Sequence, residues 1–417
     1  MSTQSAAPAR SFTAFEVPGF AAYLGTFVLT MMADNVEHVI SYWVAFQKFH
    51  SAALGGFAVV SHWLPFLLFS VAVGALNDRF DSRRLMQAGA VLFVLASAGW
   101  GYFFVTDTLE MWHAMVLLVL HGCAGVLWST SSQVLLYDIV GPEKLASAVR
   151  LSATGRYLGM LVGPGVGSLI MLTFGPTRGI LLNTLFYLPL IGWLIAAPYG
   201  RHRTGVRRGP PRAVRGLSDI VQTVREVLPH PVLAVMITLA GGASFFIGNS
   251  YHAQMPAFAR DVGHGDPGTA YTALLAADAT GALLAGALLE ARGGIFNMRP
   301  KTAVALALAW ATALGAFALT RSYPLALCAL FMAGFFELSF SSMNQTLVQM
   351  NAPEASRGRV LGLYTMANSG LRTFSGITVG LLGSALGVHV SLAGASLAVM
   401  LAASLLLWRL QRRPRVD

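Results

Sequence analysis

The chain has 417 residues, of which 55% are hydrophobic and only 11% charged. A soluble protein of this size carries roughly a quarter charged residues, so the composition excludes a soluble domain and implies a polytopic membrane protein. The net charge of +10 could suit nucleic acid, but the arginines gather in alternate loops between apolar runs, which marks one face of a bilayer and leaves nucleic acid out as a partner.

In chain order, hydropathy predicts twelve spans of about 20 residues or more. They cover 20–46, 53–76, 85–105, 112–136, 146–173, 179–199, 231–259, 268–291, 301–320, 325–351, 358–386 and 389–409. The apolar run from residue 20 is too long for a signal-peptide core and is expected to stay as the first span. With the N-terminus cytoplasmic, 22 of the 28 basic residues fall on the cytoplasmic side, which favours both termini inside. Cys123 and Cys328 lie in apolar runs and are expected to be small core residues.

The longest interruption, 200–229, begins as a basic, Gly- and Pro-containing linker and ends as LSDIVQTVREVL. There Leu217, Ile220, Val221, Val224 and Leu228 share a face, so a short interfacial helix is expected, with a disordered linker as the alternative. The expected division is a segment 1–19, a six-span bundle 20–199, a linker 200–230, a second bundle 231–409 and a tail 410–417.

The stretch GALNDRFDSRR, 74–84, holds Asp78 beside Arg79, Arg83 and Arg84 after the second span, with Gly74 giving close approach. The pattern returns 212 residues later, where Gly286 and Glu290 replace Gly74 and Asp78 after the eighth span. Two apolar halves, each with one charged hairpin in the same place, are the signature of a duplicated transporter.

These residues carry a resemblance. The loop Gly74, Asp78, Arg79, Arg83, Arg84 resembles the G-x-x-x-D-R-x-x-R-R signature of the major facilitator superfamily, with one residue of slack, and within it the chain resembles the drug and siderophore exporters related to the enterobactin exporter. The resemblance implies an all-α fold of twelve transmembrane helices in two pseudo-symmetric six-helix bundles, and a loop that clamps neighbouring helix ends. In the fifth span, Gly159, Gly163, Pro164 and Gly167 resemble the antiporter motif of proton-coupled exporters, with Ser168 where the family has glycine. Physically, glycines four apart make a smooth packing stripe and Pro164 is expected to bend the helix; a packing ridge without directional meaning is the other reading.

Chemistry within the bilayer must come from the few polar residues there. Asp34, Glu37 and His38 in the first span are spaced i, i+3, i+4 and project from one face. Asp34 is the expected proton-coupling residue, with Glu37 and His38 as modulators; a fixed ion pair with Arg156 is the alternative. Expected to line a central cavity are Arg156, Asn249, His252, Asp278, Glu337, Asn344, Asn368 and Arg372, each of which could equally be an interhelical staple. His62 and His121 rank behind them. Five tryptophans, Trp43, Trp63, Trp100, Trp112 and Trp128, serve as interface anchors or cavity lining.

The leading expectation is a monomeric, proton-coupled antiporter in a bacterial inner membrane, exporting a siderophore, drug or amphiphile by rocker-switch alternating access. No cofactor is expected. A divalent transition-metal exporter resembling bacterial ferroportin relatives is the alternative, suggested by Asp34, His38 and His252 on opposing halves. A receptor or enzyme is disfavoured, because the linker is too short for a catalytic domain and no nucleotide loop, zinc motif or nucleophile elbow is present.

Overall fold

The computed structural model describes residues 11–50, 52–199, 217–248, 250–262, 267–292, 295–375 and 382–412. Among them are helices and no strand, and the helices supply twelve spans in two six-helix halves. In the N-terminal half, α1 (Phe20–Phe49), α2 (Ala52–Arg79) and α3 (Ser82–Thr106) lead into α4 (Met111–Ala196), a run of 86 residues that furnishes three spans as three limbs. Its corners are Gly141 (φ 70, ψ 175) and Gly175 (φ 76, ψ 164), conformations open essentially to glycine alone. Each corner glycine precedes a proline, Pro142 or Pro176, whose fixed φ and missing N–H suit the first turn of the next limb.

The C-terminal half opens with α5 (Leu217–Val227) and continues as α6 (Pro231–Phe246), α7 (Ser250–Val262), α8 (Pro267–Ala291), α9 (Pro300–Leu319) and α10 (Tyr323–Asn351). It ends with α11 (Arg357–Thr365), α12 (Arg372–Ser375), α13 (Leu382–Leu386) and α14 (Val388–Arg412). Among the described residues, seven helical runs are long and apolar enough to cross a bilayer on those criteria alone. Large apolar side chains cover the outside, Leu172 being 82% exposed, as suits a surface solvated by lipid rather than water.

Two expectations about the helices need correction. The seventh span is not continuous: α6 stops at Phe246 and Gly248 adopts φ +50 before α7 begins. The eleventh is also irregular, passing from α11 through a π-helical turn, Met366–Gly370, into α12. The chain keeps helical dihedrals through Pro164, the non-helical points of α4 being the two corner glycines.

The helix expected after the linker is present as α5 and packs against α2 and α11. Its inner face differs from the expected one. Asp219 and Thr223 are buried, Ile220, Val224 and Val227 meet the core, and Val221 and Leu228 face outward. Residues 200–216 lie outside the described residues, as do 1–10 and 413–417. Cys123 is half-buried, but Cys328 is exposed rather than in the core, since the outer face of a membrane helix asks only for an apolar side chain.

Candidate functional site

At one end of the bundle the two halves are clamped twice, and both clamps follow from the repeated hairpin. Asp78, at the end of α2, reaches across to the start of α11: the Gly358 N–H donates to Oδ1 at 2.6 Å and the Arg359 N–H to Oδ2 at 3.1 Å. The Arg359 guanidinium adds a contact at 3.4 Å. A carboxylate here meets the unsatisfied N–H groups and positive end of a helix, which is why an acid occupies the position. This cross-half contact goes beyond the pairing expected within the loop. Arg83 instead donates to the Ala197 carbonyl at 2.9 Å and flanks Asp81, Arg84 donates to Gln87, and Arg79 lies over the Phe80 ring. Gly74 permits the approach, because a Cβ there would come within 2.2 Å of the Gly358 carbonyl oxygen.

Glu290, 212 residues on, does the same from the other side and is 1% exposed. Its Oε2 accepts from Arg150 Nε at 2.8 Å and its Oε1 from Ser147 Oγ, both on the second limb of α4. Oε1 also accepts the Phe12 N–H at 2.8 Å. Thus residues 11–16, which include the 3-10 turn Thr13–Glu16, strap this second clamp. Ser11 Oγ donates to the Ala291 carbonyl at 2.5 Å, the Ala14 N–H to Ser147 Oγ at 3.2 Å, and Glu16 pairs with Lys144 at 2.9 Å. Gly286 abuts Thr154 as Gly74 abuts Gly358. Further cross-half bonds are Gln133 Nε2 to Thr365 Oγ1 at 2.9 Å and the Arg357 guanidinium 3.6 Å from the Tyr137 ring.

Beyond the clamps lies a cavity of about 340 Å³ between the halves. His62, on its wall, is 16 residues along α2 from Asp78, about 24 Å at 1.5 Å per residue. Met31, Asp34, Asn35, His38 and Tyr42 line it from α1, His62, Trp63 and Phe66 from α2, and Arg156 and Met160 from α4. The C-terminal half contributes Ser369 and Arg372, whose guanidinium stands 5.1 Å from the Trp63 ring centroid. Apolar and aromatic walls with a few convergent charges are the usual make-up of a small-molecule site.

Behind the wall, the polar groups form one chain of bonds. His121 sits between two carboxylates, Nε2 at 2.9 Å from Asp34 Oδ1 and Nδ1 at 2.8 Å from Glu37 Oε1. Ser97 Oγ donates to Glu37 Oε2, and Asn183 Nδ2 donates to Ser97 Oγ at 3.2 Å and to the Ala33 carbonyl at 3.0 Å. Asp34 Oδ2 is 3.8 Å from His38 Nδ1. Asp34 therefore bonds to His121 and not to Arg156, whose Nε is buried without a hydrogen-bond partner. The glycine stripe explains how α1 is seated: a Cβ at Gly159 or Gly163 would come within 2.7 Å of Met31 or 2.5 Å of Asn35, so the second limb of α4 lies directly against the helix that bears Asp34.

Of the expected cavity residues, Arg156 and Arg372 line it, together with Asp34 and His38 of the expected coupling group. Glu37 stands behind His121. The others are held elsewhere. His252 Nε2 lies 3.1 Å from Asp278 Oδ2, and Tyr251 donates to Glu337 at 3.2 Å, within the C-terminal half. Asn344 is a staple, donating to the Met236 carbonyl at 3.1 Å, and the Asn368 carbonyl accepts from Ser244 and Arg372 at the π-turn. Asn249 lies outside the described residues. Among the described residues the side chains able to hold a metal ion together are His38, His62 and His121; His252, engaged by Asp278, is not one of them. His62 and His121 were underrated in the sequence because each is a lone histidine in an apolar span. The signal was there in that an ionisable group inside a bilayer is costly and so rarely idle. Trp63 and Trp128 line the cavity, Trp100 is core, and Trp43 and Trp112 face outward.

A twelve-span membrane fold of two halves, clamped at one end around a cavity with buried charges, is the architecture of a membrane transporter. The chain belongs to the Major Facilitator Superfamily, whose profile matches residues 19–376 and 255–417. It is 24% identical over 389 residues to the multidrug efflux pump Tap of Mycolicibacterium fortuitum, covering 89% of this chain and 91% of that protein. It is 26% identical over 255 residues to the enterobactin exporter EntS of Shigella flexneri, where the match spans 59% of this chain and 55% of the relative. Among solved structures, the E. coli fucose:proton symporter FucP superposes with a TM-score of 0.73 at 13% identity, covering 95% of this chain and 98% of that one. A bacterial homologue of the iron transporter ferroportin in an outward-facing state gives 0.70 at 19% identity, covering 94% and 99%. At these identities the structures bear on the fold alone. The chain is a non-enzymatic, multi-pass membrane transporter for a small molecule.

Proposed function

We propose that this protein is a proton-coupled antiporter that exports a small organic molecule, of the drug, siderophore or amphiphile class, across a bacterial inner membrane, working as a monomer with both termini in the cytoplasm. With that orientation, which the basic loops favour, the Asp78 and Glu290 clamps close the cytoplasmic end and the cavity belongs to an outward-open state. Rocking the halves breaks both clamps and opens the cavity to the other side. Asp34 is the group at which proton and cargo exchange, with Glu37 and His38 beside it. The observation that carries this reading is Asp34 itself, a carboxylate on the cavity wall hydrogen-bonded to His121 rather than locked to an arginine. Arg156 and Arg372 on the same cavity suit a cargo with an anionic end. The efflux-pump and exporter relatives support the outward direction.

The test is transport in proteoliposomes under an imposed pH gradient, with a fluorescent amphiphile as cargo. Asp34→Asn is expected to abolish gradient-driven movement while binding of the amphiphile stays measurable; unchanged gradient dependence removes Asp34 from the mechanism. A divalent-metal cargo is the second reading, favoured by the histidine cluster on the cavity wall.

A further inference from the structure

Three imidazoles from three helices converge on the N-terminal wall of the cavity. His38 (α1), His62 (α2) and His121 (α4) each place a ring nitrogen within 4.8 Å of the other two, with ring centroids 4.7, 5.1 and 5.7 Å apart. Packing alone does not ask for this. His62 Nδ1 is buried with no hydrogen-bond partner. Buried polar atoms left in this state cost free energy unless something else satisfies them.

His121 is the fixed member. Nδ1 meets Glu37 and Nε2 meets Asp34, so Nε2–H donates to the Asp34 carboxylate at rest and offers its lone pair to an ion once that proton leaves. Glu37 is in turn held by Ser97, and Ser97 by Asn183. A carboxylate behind a histidine is the arrangement that sets tautomer and ring orientation in metal centres, and here it comes already assembled. Asp34 Oδ1, 2.9 Å from Nε2, stands where a fourth, oxygen donor would be.

We infer that His38, His62 and His121, with Asp34, bind a divalent first-row transition ion as cargo, a deepening that rests on the second, metal-cargo reading of the same exporter cavity. Three imidazoles and one carboxylate suit ions such as Zn(II), Co(II) or Fe(II) and disfavour Mg(II) and Ca(II), which prefer oxygen alone. Asp34 and Glu37 together balance the two positive charges. Nitrogens bound at about 2.1 Å to a tetrahedral ion stand roughly 3.4 Å apart, closer than the present spread, so loading draws α1, α2 and α4 together around the ion. Binding thereby narrows the cavity from the wall that carries the ligands.

The experiment titrates the full-length protein in detergent with Co(II), followed by calorimetry and visible absorption. One Co(II) per chain with the intense d–d bands of a four-coordinate site is expected. His62→Gln should weaken binding at least tenfold, His252→Gln should leave it unchanged, and Mg(II) should give no heat. Thermal melting of each variant confirms that it is folded, and His38→Gln repeats the test on a second ligand. In vesicles, gradient-driven Co(II) movement that is lost in His62→Gln supports the inference. Absence of Co(II) binding by folded protein, binding that survives both His62→Gln and His38→Gln, or binding without Co(II) movement overturns it. Efflux of the organic amphiphile that persists in any of those cases leaves the exporter reading standing; movement of neither cargo by folded protein sinks both.

Discussion

The two halves share a gate but not a site. Asp78 and Glu290 hold the same place in the repeat, and each carboxylate crosses to the helix that begins the partner half's fifth span. The helices lining the pathway diverge. In the N-terminal half, α1 runs unbroken for 30 residues and the second limb of α4 stays helical through Pro164, with the glycine stripe pressed against α1. In the C-terminal half the matching helices are interrupted, the seventh span at Gly248 and the eleventh at the π-turn 366–370. The three-histidine cluster sits in the regular half, whereas in the C-terminal half Asp278 Oδ2 lies against His252 and Glu337 accepts from Tyr251. On the proposed reading, the regular half would be the wall that bears the ligands and the interrupted half would supply the bends that absorb backbone motion.

This contrast can be broken at several points. The largest effect is expected at the ligand wall, where Asp34→Asn should reduce gradient-driven transport at least a hundredfold in proteoliposomes, while Asp278→Asn in the other half should cost under tenfold; equal losses would dissolve the distinction. Next come the clamps. Gly358→Val places a Cβ about where the Gly74 carbonyl oxygen and Asp78 Oδ1 now sit, 2.2 and 2.6 Å away, and backbone cannot yield cheaply. Transport should fall tenfold or more, and a cysteine pair spanning the α2 and α11 ends should crosslink less. Asp78→Asn and Glu290→Gln should each have a smaller effect of the same sign without altering substrate preference, and together they should be worse than either alone.

The smallest expected effect tests the hinge. Gly248 has φ +50 and faces Ser375, so Gly248→Ala is strained and should slow turnover several-fold with affinity little changed. Gly165→Ala, which meets open space in the regular half, should stay within twofold of the parent. A slowdown at Gly165 matching that at Gly248 would mean the bends are not confined to one half.

The gate was legible in the sequence because duplication writes it twice: a carboxylate recurring at a fixed offset after an apolar run needs no three-dimensional information. Asp34 was legible because helical spacing aligns it with His38. The histidine cluster was not, since His38, His62 and His121 come from three helices and no linear period connects them. Asn344 stays open between cavity and staple in the sequence for the complementary reason. A lone amide in an apolar helix reads the same whether it faces a cavity or a neighbour's carbonyl, and here it meets that of Met236. The breaks at Gly248 and 366–370 lay inside uninterrupted hydrophobic runs, where hydropathy is blind to backbone geometry.

The strap at residues 11–16 has a practical corollary for anyone building reporters on this transporter. Its main-chain N–H at Phe12 and hydroxyl at Ser11 grip the far half directly, so a bulky fluorophore or epitope fused just upstream would tug on the lock and bias the resting conformation. Labels attached at the carboxyl end, after α14, would leave that lock undisturbed.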